Sequence, residues 1–130
     1  MLEFKDFGLD YEDVDKKSYK ILENVNINFE KGSVNVITGE SGSGKSSIIK
    51  AINGIIPEID KAKLSGKIKL DGKNIVDMTI ADRSKFIATV FQNPKNQFYA
   101  VNSLDEIAFA LENRNIERDE IFQTIDRYSN

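Results

Sequence analysis

Gly39-Glu40-Ser41-Gly42-Ser43-Gly44-Lys45-Ser46 fits G-x-x-x-x-G-K-[ST], the pattern of a loop that cradles phosphate. Glycines at 39, 42 and 44 let the backbone take positive φ and approach an anion closely, so that successive N–H groups point into one concavity. Lys45 would place an ammonium between β- and γ-phosphates, and the Ser46 hydroxyl is a hard oxygen ligand of the kind Mg²⁺ accepts. The start of a following helix adds partial positive charge. The alternation Ser41-Gly42-Ser43-Gly44 would also suit a flexible linker, but the flanks decide against it. Val34, Val36 and Ile37 read as a buried strand, and Ile48, Ile49, Ile52, Ile55 and Ile56 keep one helical face apolar until Gly54 and Pro57 stop it. Strand, glycine loop and helix form the setting that nucleotide phosphate binding requires.

With 130 residues, the chain is one modest domain or a piece of a larger one. The 18 basic and 21 acidic residues give a net charge of −3, which offers no basic field to a nucleic-acid backbone, so no nucleic-acid partner is expected. With no cysteine and no histidine, disulfides, thiolate or imidazole metal sites and a histidine general base are excluded, and any metal must be bound through oxygen. Met1-Leu2-Glu3-Phe4-Lys5 does not read as a signal peptide, and no apolar run approaches the ~20 residues of a bilayer span. A cytoplasmic location is expected.

Outward from the loop, Leu2, Phe4 and Phe7 alternate with polar residues, as do Val25, Ile27 and Phe29 with Asn24, Asn26 and Asn28, giving two half-buried strands. Between them Asp10 to Ser18 is a polar, charged loop that carries one aromatic, Tyr11. Lys31-Gly32 turns the chain into the strand that feeds the glycine loop. Pro57 to Ser65 is polar and irregular, and Lys67-Ile68-Lys69-Leu70, Asp71-Gly72 and Lys73-Asn74-Ile75 read as a β-hairpin with a tight turn. Ile80 to Phe86 suits a short helix. Ile87-Ala88-Thr89-Val90-Phe91 is a β-favouring run that delivers Gln92 at a strand's C-terminal end, where ligands collect in open α/β sheets. Ser103-Leu104-Asp105-Glu106 reads as a capping box. Leu104, Ile107, Ala108 and Leu111 form one amphipathic stripe and Ile121, Phe122, Ile125 and Tyr128 a second, beyond a break at Asn113-Arg114-Asn115. Together they predict a helical hairpin whose stripes pack as core.

These residues resemble the N-terminal half of an ATP-binding-cassette transporter ATPase subunit, over nearly the whole chain. Phe4-Lys5-Asp6-Phe7-Gly8-Leu9-Asp10-Tyr11 resembles the family's opening strand and adenine-stacking aromatic, Gly39 to Ser47 its Walker A, and Phe91-Gln92 its Q-loop. More narrowly, Val90-Phe91-Gln92-Asn93-Pro94-Lys95-Asn96-Gln97-Phe98 and Ser103-Leu104-Asp105-Glu106-Ile107-Ala108-Phe109 resemble the energy-coupling-factor and cobalt-type importers. The resemblance implies an α/β fold, part of a P-loop NTPase (RecA-like) core with an antiparallel β arm over residues 1–99 and the start of a helical subdomain over 100–130.

It implies ATP and Mg²⁺ as cofactors. Adenine would stack on Tyr11, phosphate would sit among Gly39, Ser41, Gly42, Ser43, Gly44, Lys45, Ser46 and Ser47, and Mg²⁺ would be met by Ser46 and Gln92, the latter also coupling to a membrane subunit. The implied partners are a second ATPase subunit and membrane subunits, with the chain peripheral to the cytoplasmic face of the membrane. No L-S-G-G-Q follows the Q-loop; Leu64-Ser65-Gly66 precedes it and Lys67 breaks that match. No apolar strand ends in Asp-Glu, and no switch histidine exists. The hydrolytic half is therefore expected to lie outside this chain, leaving unpaired sheet edges at Val34 to Ile37 and Ile87 to Phe91 that favour self-association. A P-loop GTPase or small-molecule kinase is the second reading, although GTPases normally show D-x-x-G and N-K-x-D and neither occurs here. A non-catalytic module that only senses ATP is the third reading.

Overall fold

The computed structural model describes residues 1–12, 15 and 17–129. The chain divides into two compact units, Met1–Ala88 and Thr89–Asn130. The first holds β1 (Leu2–Glu12), β2 (Ser18–Phe29), α1 (Lys45–Asn53), α2 (Ile55–Glu58), β3 (Ala62–Leu70), β4 (Lys73–Asn74) and α3 (Ile80–Arg83). Its strands form one sheet of order β2-β1-β3-β4, antiparallel at every neighbour. The second holds a 3-10 turn (Pro94–Gln97) and the helices α4 (Ser103–Glu112) and α5 (Arg118–Ser129), which pack on each other.

In β1, Phe4 and Phe7 are three residues apart, a spacing that would aim them at opposite faces of a regular strand. The pairing shifts register between them against both neighbours, and Asp6 takes a φ of 49° while its N–H donates to Asn26 Oδ1 at 3.0 Å. This irregularity returns Phe7 to the buried side, so Phe4, Phe7 and Leu9 form one core with Ile68 of β3, Ile48 and Ala51 of α1, and Ile56 and Ile75. Gly66 stands opposite with a φ of 72°, and a Cβ there would lie 2.2 Å from the Asp6 carbonyl oxygen. Only glycine fits that crossing. The hairpin turn is as expected: Asp71 and Gly72 take φ of 48° and 81°, two consecutive left-handed residues as in a type I′ turn, and Leu70 pairs with Lys73.

Several expectations are corrected. Val34 to Ile37 forms no strand; Val34 is 96% exposed and Val36 81%, and only Ile37 touches the core. Ile87 to Phe91 likewise forms no strand, and Val90 is 81% exposed. The reason is common to both: a strand exists by pairing, and among the described residues neither segment has a ladder neighbour. The parallel core sheet is therefore not formed, and the sheet present is the antiparallel arm.

The loop read over 10–18 is shorter, since β1 carries on through Tyr11 to Glu12; residues 13, 14 and 16 of it lie outside the described residues. β3 begins at Ala62, inside the segment read as irregular, and Leu64-Ser65-Gly66 is strand. On α1, Ile49 faces out at 41% exposure while Gly54, at a φ of 95°, ends the helix as predicted. At α4 the cap is Asn102 rather than Ser103: its Oδ1 accepts from Asp105 N–H at 2.9 Å, and Glu106 accepts instead from Tyr99 and Ala100 N–H. Asparagine caps as well as serine, so the cap sits one residue earlier. Of the two apolar stripes only Ile121 is buried, because a pair of helices has only one shared seam in which to hide side chains.

Candidate functional site

The glycine loop ends at Gly44, which caps α1 in the left-handed region at φ 88°, with no side chain accepting from the first turn. The leading N–H groups of a helix have no intrahelical acceptor, so this end presents backbone donors together with the positive end of the dipole. Gly44 also lies flat on β2: a Cβ there would meet Leu22 Cδ2 at 3.0 Å and Ile21 Cγ2 at 3.1 Å. The sheet thus seats the loop, and a side chain at 44 would crowd Leu22 and Ile21 and strain a backbone held at positive φ.

Inside the loop Gly42 has a φ of 83°, and Ser43 N–H donates to Glu40 O at 3.2 Å. Lys45 Nζ folds back to donate to Gly39 O at 2.9 Å and Glu40 O at 2.5 Å, with Ser43 Oγ at 3.4 Å. One ammonium therefore closes the loop on itself and sits at its rim. Ser41, Gly42, Ser43 and Ser46 are exposed, while Lys45 and Ser47 are half-buried.

This donor set fits a polyphosphate: the N–H groups of an uncapped helix start and one ammonium. It fits Mg²⁺ through Ser46 alone. Among the described residues no three Asp, Glu, His or Cys side chains gather to hold a metal, so the ion would draw its remaining ligands from phosphate oxygens and water.

Tyr11 lies in β1, paired with Tyr19 and Ala62, and is half-buried against the core. Gln92 belongs to the second unit, where it is exposed in a hollow of about 450 Å³ lined by Phe91, Asn93, Gln97 and Tyr99. The loop residues from Gly39 to Ser47 come together in one turn and the first turn of α1.

Sequence reasoning did not single out Gln97. Its Oε1 accepts from Phe91 N–H at 3.0 Å and its Nε2 donates to Thr89 O at 3.1 Å. A side-chain amide presents the same donor and acceptor as a peptide group, so Gln97 holds the backbone leading to Gln92 as a neighbouring strand would. The signal available was the second glutamine of Phe91-Gln92-Asn93-Pro94-Lys95-Asn96-Gln97. Each bond is worth about 1 kcal/mol. Gln97→Ala is expected to speed amide hydrogen exchange at Phe91 about tenfold. An unchanged rate, read by NMR, would remove the clamp.

Among the described residues no helix is long and apolar enough to cross a membrane. The family model described as ABC transporter matches residues 22–129. An ABC transporter ATP-binding protein of Streptococcus mutans is 38% identical over 128 residues, 98% of this chain and 22% of that protein. One from Clostridium perfringens is 36% identical over 129 residues, 99% of this chain and 22% of its own length. One from Pyrococcus abyssi is 40% identical over 109 residues, covering 84% of this chain and 39% of that protein. The chain spans about a fifth of the length of the first two.

Proposed function

Since the chain belongs to the ABC transporter family, whose nucleotide-binding domains have the P-loop NTPase fold, we propose that it is the ATP-binding N-terminal portion of an ATPase that powers import of a small solute, a metal ion or a vitamin. The observation that carries this is the glycine loop, seated on β2 by Gly44, opening onto an uncapped helix start and rimmed by the Lys45 ammonium. In this reading the backbone of Ser41 to Lys45 binds the phosphates, Ser46 holds Mg²⁺, Tyr11 stacks on adenine, and Gln92 meets the metal and couples to a membrane subunit. Bound Mg²⁺ would supply neutralisation of the phosphate oxygens.

Residues 1–99 would be the nucleotide-binding part, a partial RecA-like core with its β arm, and 100–130 the start of a helical subdomain. The Phe91-Gln92-Asn93-Pro94 and Ser103 to Phe109 motifs support the energy-coupling-factor and cobalt-type subgroup. A second ATPase subunit and membrane subunits would be its partners at the cytoplasmic face of the membrane. The exposed apolar side chains of Val34, Val36, Val90 and Phe91 support pairing of these two segments with another chain.

A module that binds nucleotide without hydrolysing it is the second reading here; among the described residues no strand ends in Asp-Glu. Calorimetric titration with Mg·ATP and Mg·GTP, beside a phosphate-release assay, tests both. Weak binding that prefers ATP is expected, with no phosphate release above a Lys45→Ala control. Equal or tighter binding of GTP would sink the ATP assignment, and release above the control would sink the claim that catalytic carboxylates lie elsewhere.

A further inference from the structure

Arg83 stands in a polar stretch, Ala81-Asp82-Arg83-Ser84-Lys85, yet it is 1% exposed. Its guanidinium donates to four carbonyls: Nη1 to Ala51 O at 2.6 Å and Ile52 O at 3.1 Å, Nη2 to Val76 O at 2.8 Å, and Nε to Met78 O at 2.9 Å. Ala51 and Ile52 belong to the last turn of α1, where carbonyls have no intrahelical donor. Gly54 N–H serves Lys50 O at 3.2 Å, and Arg83 serves the next two, bringing positive charge to the negative end of the dipole.

Gly54 makes room for this: a Cβ there would stand 3.2 Å from both Cδ and Nε of Arg83. Burial pulls the guanidinium's pKa below its ordinary value, opposed by the charges of Glu58 and Asp77. The same side chain thus ties the far end of α1 to the segment that follows the β-hairpin, while the near end of α1 carries Gly44 and Lys45.

We infer that Arg83 is a positioning residue for the phosphate loop: by anchoring the C-terminal turn of α1 to Val76 and Met78 it fixes where the first turn presents its donors. This rests on the nucleotide-binding reading above. Lysine can take over only part of the task, because one ammonium lacks the planar fork that reaches four carbonyls at once.

Amide hydrogen exchange on the 130-residue chain, with Arg83→Met, Arg83→Lys and Arg83→Ala beside wild type, tests it. Two amides report on α1: Gly54, bonded to Lys50 O, and Ile48, bonded to Gly44 O at 3.0 Å. Arg83→Met is expected to speed exchange at both about 10- to 100-fold, with β1 and β3 amides unchanged, and to weaken Mg·ATP binding by a similar factor. Arg83→Lys should fall between, and millimolar methylguanidinium should restore Arg83→Ala in both measurements.

Unchanged exchange at Ile48, or equal loss across β1 and β3, would overturn the inference, as would a loosened α1 with unaltered ATP affinity. Should Arg83→Met fail to fold, the Arg83→Lys comparison decides by the same criteria. Should wild type bind no nucleotide, the nucleotide reading fails, and the anchoring is judged on Ile48 exchange alone.

Discussion

Lys45→Ala is expected to weaken Mg·ATP binding by about 10- to 150-fold, the equivalent of one charge-assisted hydrogen bond of ~1.5–3 kcal/mol. The ammonium is the one side-chain cation of the loop, and its present partners are the Gly39 and Glu40 carbonyls and, at longer range, Ser43 Oγ. Two losses therefore combine in the variant. The phosphates lose their cation, and the loop loses the strut that curves its backbone over the helix start. Isothermal titration against wild type measures the sum, and an affinity within twofold of wild type would refute the assignment of Lys45. Exchange at Ser43 N–H, which donates to Glu40 O at 3.2 Å, separates the two contributions: faster exchange without nucleotide reports the lost strut.

Phe7→Ala is expected to remove about 3–5 kcal/mol of stability. Phe7 is wholly buried, its ring meets that of Phe4 edge-on at a centroid distance of 5.2 Å, and it belongs to the core shared by the sheet and α1. Alanine there leaves a cavity among β-sheet and helix side chains that cannot all collapse inward. Domains of ordinary size have only ~5–15 kcal/mol of stability, so the variant should lose a large share of it and unfold at a clearly lower urea concentration. Urea denaturation followed by far-UV circular dichroism gives the number. A loss under ~1 kcal/mol would mean that the register shift at Asp6 does not aim Phe7 inward.

The two predictions draw on different depths of information. Lys45 is legible from eight consecutive residues, whereas the place of Phe7 depends on the Asp6 irregularity and on Gly66, sixty residues further along the chain. The alternation of Leu2 and Phe4 marks a strand but does not tell where its phase slips. Gln97 was visible as a letter of a motif, but its role as a substitute strand neighbour required the coordinates of Thr89 and Phe91.

Sequence by itself determined what is local: the glycine loop, the start of α1 and its stop at Gly54, the Asp71-Gly72 turn, and the two helices after Asn102. Each rests on backbone preferences and i to i+4 bonds that a short segment satisfies alone. Only the tertiary structure decided which apolar runs become strands. Val34 to Ile37 and Ile87 to Phe91 have β composition, but backbone pairing needs a neighbour, and no property of a segment states whether one is beside it. The same holds for Arg83, bonded to a carbonyl 32 residues away. A buried guanidinium is tolerated only where several carbonyls converge, and that convergence is made by packing, not by the residues on either side of it.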